Sequence, residues 1–379
     1  MDMTMEQPPY VPSAAFLAAQ EQIPDFWQGT VNETEQMAER VEKGRVRVGC
    51  RSAGGRPIYV FEYGQPNRCN RTANYSAALG AGDLNCYADK TKADVHPCLF
   101  FIGCVHGGEF EGTVALLNLI QLLETGRDLG GRENQALAGL ADRAHLILIP
   151  CVNPDGRMRV PFRSVLGMDY QTFRYYDQGM WADGRICEWP EVKRIHPIAG
   201  HVRYLGGYFN DDGVNLMHDN FFRPMAAETR LMLDIASDAA PDFIVNFHGA
   251  TGCDPSFCDD EFLPVMTRER LDGLEKQIQQ ACAAEHIPFH VAKKNYFPRT
   301  ERPQGANLTW ALHQICGGIS LTHESQQGVI GNPPGNGCNE WDVGYEHIYR
   351  EHMICIEMID RFTQVLCAER KSTNSAKRQ

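Results

Sequence analysis

No run of apolar residues in this chain approaches the length needed to cross a bilayer, which excludes a transmembrane helix. Positive charge is also in short supply: 36 Lys and Arg stand against 48 Asp and Glu, a formal net charge of -12. That balance excludes nucleic acid or an anionic membrane surface as the main partner, because both repel an acidic protein. The opening stretch, Met1 to Tyr10, carries Asp2 and Glu6 and lacks the basic and apolar regions of a signal peptide, so a cytoplasmic location is the expectation. Internal repeats and low-complexity tracts are missing too. Cysteine is plentiful, at 14, but the residues are scattered, and Cys98, Cys104 and Cys151 sit inside apolar runs, as reduced core thiols do. Cys253 and Cys258 have no second pair nearby to complete a metal site, and no role is given to them.

What is present is a chain of 379 residues, 43% hydrophobic and 22% charged, long enough to bury a full core. Thr30-Val31-Asn32-Glu33 is a capping box that predicts a charged helix to about Lys43. Val46 to Gly64 reads as a hairpin turning at Gly54-Gly55. Strand-like runs follow at 98–105, 145–152, 242–248 and 318–323, separated by amphipathic stretches such as Thr113 to Glu124 and Ala227 to Ser237. This alternation predicts an α/β protein with a largely parallel sheet and helices on both faces. The chain divides into an N-terminal extension, residues 1–29, a catalytic domain over 30–367, and a polar, frayed tail over 368–379. Within the domain, residues from about 157 to 209 show no sustained period and read as a long insertion.

The chemistry-bearing residues stand at strand ends. Phe100 to Val105 delivers His106-Gly107-Gly108-Glu109, and positions three apart in a turn that opens a helix share one face, so His106 and Glu109 can reach one metal ion. A catalytic zinc needs a third ligand, an open position for water, and a carboxylate to handle protons. His248 closes the apolar run Asp242 to Phe247, and Glu324 closes Gly318 to His323. A lone histidine after a strand is commonly structural and a lone glutamate commonly solvated, but a charge ending a buried strand needs a partner.

The order His106-x-x-Glu109, Asn153-Pro154-Asp155-Gly156-Arg157, Gly213-Val214-Asn215-Leu216, Ala227-Glu228-Thr229-Arg230, His248 and Glu324 resembles the zinc carboxypeptidase family from about Thr30 to about Cys367. The hairpin around Ser52-Ala53-Gly54-Gly55-Arg56-Pro57-Ile58 is similar to that family's first strands. The resemblance implies a mixed, largely parallel eight-stranded twisted sheet, one Zn2+ held by His106, Glu109 and His248, and Glu324 as general base. It also implies an arginine beside the developing oxyanion. Arg163 is taken for that place, with Arg157, Arg159 and Arg174 competing across the insertion.

Two departures bear on substrate. Where the family carries Asn-Arg to clamp a terminal carboxylate, this chain has Met217 and His218, which cannot form a bidentate fork. His218 is a candidate substrate contact and equally a satisfied loop histidine, while Asn215 stands where the family's aspartate supports a zinc ligand. The family's mobile tyrosine aligns with Glu301, leaving Tyr296 as the nearest tyrosine, flanked by Arg299 and Arg302. The leading reading is a zinc metallohydrolase that cleaves an amide bond in a peptide or modified amino acid. A deacylase or amidase of the same superfamily, acting on N-acyl amino acids or unusual peptides, is the first alternative, and a non-catalytic peptide-binding member the second.

Overall fold

The computed structural model describes residues 10–251, 255–259, 261, 263–289, 291, 306–331 and 343–377. The hairpin forms as β1 (Arg45–Arg51) and β2 (Pro57–Tyr63), and its turn places Gly55 at φ 81°, where a glycine meets no steric cost. The four apolar runs become β3 (Cys98–Gly103), β4 (His145–Ile149), β7 (Phe243–Ala250) and β9 (Ile319–Gln326). The first three are buried along almost their whole length, as strands covered on both faces must be.

A seven-stranded sheet runs β1-β2-β4-β3-β7-β9-β8, where β8 is Ser256–Cys258. The centre β4-β3-β7-β9 is parallel and the flanking pairs are antiparallel. The mixed, mostly parallel sheet is as expected, with seven strands among the described residues where the resemblance implied eight. One face packs against helices Glu111–Thr125, Val265–Ala284 and Tyr345–Lys377, through Phe101, Leu117, Phe247 and Ile356 among others. The other packs against Ala227–Ala239 and Leu308–Cys316 through Phe100, Ile102, Met232 and Leu312. No helix among the described residues is long and apolar enough to cross a membrane, and the described cysteines form no disulfide.

Three segments set apart in the sequence reading take up structure here. Residues 10–29 pack on the domain: Ile23, Phe26 and Trp27 are buried in the main core, and Asn118 Nδ2 donates to the Phe26 carbonyl at 2.9 Å. Residues 368–377 continue the last helix, because Arg370 pairs with the buried Asp242 and Lys371 Nζ donates to Ala93 O at 3.0 Å. The insertion is ordered, with a helix Tyr170–Gln178 and a two-stranded sheet of β5 (Gly179–Trp181) and β6 (Val202–Leu205).

The Asn-Pro-Asp-Gly segment is the N-terminus of a short helix, Pro154–Arg159, capped by Asn153. Asp155 is fully buried and accepts from Ser52 Oγ at 2.5 Å, Gly54 N at 2.8 Å, Arg56 Nη1 at 2.7 Å and Asp211 N at 3.2 Å. Burial alone would raise this carboxyl, but the four donors hold it below its ordinary range. Removing it strands buried donors, so Asp155→Ala is expected to cost about 3–5 kcal/mol, read as a lower urea midpoint at unchanged slope. Because the folded pKa is depressed, this contribution is present above the ordinary carboxylate range and is lost as pH falls through it.

Candidate metal centre

The carboxyl ends of β3 and β7 bring His106, Glu109 and His248 together, all at or below 8% exposure. His106 Nδ1 lies 3.0 Å from both Glu109 oxygens, and His248 Nδ1 lies 2.7 Å from Glu109 Oε2. On its far side His106 Nε2 is 3.3 Å from Asn215 Oδ1, which also accepts from Met217 N at 2.9 Å. An amide oxygen only accepts, so His106 carries its hydrogen on Nε2 and turns a lone pair at Nδ1 toward an anionic carboxylate. Two electron-rich atoms held that close call for a cation between them. Burial works to raise Glu109, but the two imidazoles outweigh it and hold the carboxyl down to about 2, ionised as a ligand must be. His248 Nε2, buried and without a hydrogen-bond partner, is the remaining unpaired atom. The donor set of two imidazoles and one carboxylate suits zinc with an open fourth position.

The spacer is as constrained as the ligands. A Cβ on Gly107 would lie 2.1 Å from the Gly156 carbonyl carbon, and one on Gly156 would lie 2.1 Å from Gly207 O. Gly107 N also donates to Gly207 O at 2.7 Å, so three segments cross on bare backbone beside His106.

Glu324 pairs in register with His248 on the neighbouring strand and is half-buried. Its carboxyl is pushed up to about 7, by burial first and then by Glu109 and Asp259, against the opposing pull of His248 and His323. Asp259 itself, at φ 67°, accepts from Thr322 Oγ1 at 2.5 Å.

Of the remaining sequence candidates, Arg163 is not brought here. Its guanidinium reaches Glu33 at 3.6 Å and the Trp27 carbonyl at 3.2 Å, on the side of the N-terminal segment. Arg157 is spent on the Gly29 and Phe162 carbonyls, and Arg159 on Asp211. Arg174 is the arginine whose charge acts on both Asp177 and Tyr208, two groups that also feel Glu109, and its buried Nε has no hydrogen-bond partner. Asn215 is 2% exposed with its oxygen committed to His106 and Met217, so it is placed to support a ligand histidine and has no free oxygen for substrate. Its backbone N–H is held in turn by His196 Nε2 of the insertion, at 2.8 Å. His218 is half-buried near His106 and Lys193, and burial followed by those charges lowers its pKa to about 3, leaving it neutral. Tyr296 lies outside the described residues.

Sequence reasoning missed Tyr208, which stacks on His106 with ring centroids 3.6 Å apart at 15°. It also missed Glu111 and Asp177, buried carboxyls each raised to about 8, by burial first and then chiefly by Glu109. Both are protonated at neutral pH. The insertion shows no periodicity, so nothing in the residue pattern marked Tyr208 or Asp177.

Fold and donor set together define an α/β scaffold whose strand ends bring together three residues that could hold a metal ion. The zinc carboxypeptidase family matches residues 15–186 of the chain. A metallo-carboxypeptidase of Burkholderia cenocepacia superposes with a TM-score of 0.52 at 15% identity, covering 89% of this chain and 70% of that one. A Pseudomonas aeruginosa metallo-carboxypeptidase, solved with (2-guanidinoethylmercapto)succinic acid, gives 0.50 at 17% identity over 88% of this chain and 69% of its own. Bovine thrombin-activatable fibrinolysis inhibitor, in complex with tick carboxypeptidase inhibitor, gives 0.51 at 11% identity over 89% and 98%. No curated protein matches the sequence. These findings support the zinc carboxypeptidase resemblance of the ordered motifs, and the structural likenesses show the same fold.

Proposed function

We propose that the protein is a zinc-dependent amidohydrolase of carboxypeptidase type. The observation that carries this reading is Glu324, a half-buried carboxylate with its pKa near neutrality, in register with one ligand of a His-Glu-His set. His106, Glu109 and His248 would hold a zinc ion, which would supply polarisation of an amide carbonyl and acidify water near neutral pH. Glu324 takes the proton from the attacking water and returns it to the leaving amine. Asn215 keeps His106 in the tautomer that presents Nδ1, and Arg174 offsets negative charge as it grows on the carbonyl oxygen.

On this reading Arg174→Ala lowers kcat/KM by about 10²-fold or more, whereas Arg163→Ala changes it less than about threefold. Steady-state kinetics on the two variants side by side decide between them, and equal losses would remove Arg174 from the mechanism. Substrate class is set by what replaces the missing clamp. A neutral His218 beside Met217 offers no fork for a free terminal carboxylate, which favours the deacylase or amidase alternative over ordinary C-terminal trimming. The test is a panel of free C-terminal peptides, N-acyl amino acids and γ-linked peptides, with Glu324→Gln as the blank. Hydrolysis of the first group alone would overturn this preference, and no hydrolysis of any group by zinc-loaded protein would overturn the enzyme reading.

A further inference from the structure

Glu324 faces the metal centre, and alternation along a strand turns His323, one residue earlier, to the opposite face of the sheet. There it meets the Tyr345–Lys377 helix in a second cluster. His323, Glu351 and His352 are 0%, 1% and 0% exposed, and one nitrogen of each imidazole and one Glu351 oxygen lie within 4.8 Å of one another. His323 Nε2 is 2.9 Å from Glu351 Oε1, and His352 Nδ1 is 3.2 Å from Glu351 Oε2. One turn further on, Cys355 Sγ is 3.0 Å from Glu351 Oε1.

Two features separate this cluster from an ordinary buried ion pair. His323 Nδ1 faces the Ser256 carbonyl at 3.2 Å and His352 Nδ1 faces the Ile348 carbonyl at 2.7 Å. A carbonyl only accepts, so both hydrogens sit on Nδ1, and a neutral ring then presents its lone pair at Nε2. Backbone-anchored imidazoles of this kind are the usual form of metal-ligating histidine. In addition, His352 Nε2 is buried and has no hydrogen-bond partner, a desolvated lone pair that a bound cation would satisfy.

We propose that His323, Glu351, His352 and Cys355 hold a second metal ion, a structural zinc separate from the His106–Glu109–His248 centre. Its donors number four where the first centre offers three, and a closed four-donor set is the structural form of zinc site. The residue types fit the same borderline-soft cation, with a thiolate added. Binding forms one sulfur, one oxygen and two nitrogen bonds. It releases the Cys355 thiol proton to solvent, together with the Nε2 proton of His323 if that ring is charged. Two negative ligands against a divalent ion leave the site neutral, as a core requires. Ligands of a tetrahedral zinc stand about 3.3 Å apart or slightly more, so the His323–Glu351 spacing must open by a few tenths of an ångström, while His352 must present Nε2 in place of the Nδ1 now beside Glu351 and Cys355 Sγ must turn from Glu351 toward the imidazoles. The ion would pin β9, and with it the position of Glu324, to the last helix.

The test removes the first centre. A His106→Ala/His248→Ala protein is loaded with zinc, desalted, and its metal measured by elemental mass spectrometry. About one zinc per chain is expected to remain, and Glu351→Gln on the same background is expected to abolish it. No zinc in the double variant, or zinc untouched by Glu351→Gln, overturns the proposal. Because a core substitution can unfold the chain, cobalt(II) bound to the double variant gives a second readout that leaves the core intact. Tetrahedral d–d bands with a thiolate charge-transfer band support the site. A spectrum of free aqueous cobalt, with a His323 imidazolium signal by NMR, identifies a metal-free ion pair and refutes it. Neither outcome depends on the hydrolase reading, since the protein tested lacks that centre.

Discussion

Glutamine in place of Glu324 is expected to leave zinc bound and the chain folded while turnover falls by about 10²- to 10⁴-fold. The substitution keeps the shape of a side chain that contributes no ligand and removes only its ability to take a proton. Since burial and neighbouring carboxylates raise this carboxyl to about 7, the wild-type rate should climb with pH through that value and be lost below it, where the base is protonated. The variant should lose that limb of the profile. Stability runs the other way. A folded pKa raised above the unfolded value gives a contribution that is complete below the ordinary glutamate pKa and is lost as pH rises through about 7. Metal-free Glu324→Gln protein should therefore melt higher than metal-free wild type at pH 8, by an amount on the order of 1 kcal/mol after discounting for the half-exposed group. A variant that hydrolyses substrate at the wild-type rate would end the assignment.

The second large effect is loss of the metal. His248→Ala removes one of three donors and leaves the buried Glu109 carboxylate short of a partner, so the zinc of this centre and activity should vanish together. Removing one partner of a buried charge pair costs about 3–5 kcal/mol, and the metal-free variant should unfold correspondingly earlier. Zinc at this centre, at about a thousand times its dissociation constant, stabilises wild type by about 4 kcal/mol, and that part of the zinc-dependent shift should be missing in His248→Ala. Thermal unfolding with and without zinc, beside elemental analysis, reads both effects at once. Asn215→Ala is the graded control: it touches no metal, and loss of the hydrogen bond to His106 should weaken zinc affinity by about 10- to 100-fold.

The candidate ligands and the candidate base were legible in the sequence for one physical reason. A parallel strand buried on both faces must be almost wholly apolar, so His106, His248 and Glu324 stand out as polar residues at the ends of such runs. The helix at Val31–Arg40 was equally plain, because its capping box is a local hydrogen-bond pattern. The oxyanion arginine was not. Distance along the chain from Asn153 favoured Arg163, but its guanidinium turns to Glu33 and Trp27, and Arg174, the arginine proposed in its place, stands on the Tyr170–Gln178 helix. Tyr208 was hidden because its partner is a ring from a strand end a hundred residues away. The last helix was cut short in the sequence reading because its final turns are polar, whereas Arg370 meets Asp242, a buried charge contributed by the segment before β7.

The crossing of Gly107, Gly156 and Gly207 has a consequence for how such a protein can be altered. The two ends of the insertion are clamped to the ligand-bearing turn, and everything between them leaves and returns through that one knot of backbone. Of the intervening fifty or so residues, those away from Arg174 and His196 can thus be exchanged, changing length and chemistry at the mouth while the candidate metal ligands keep their places. The glycines themselves have no such freedom: a Cβ on Gly107 would meet the Gly156 backbone, and one on Gly156 would meet Gly207 O, so they form a single unit of inheritance spread over a hundred positions.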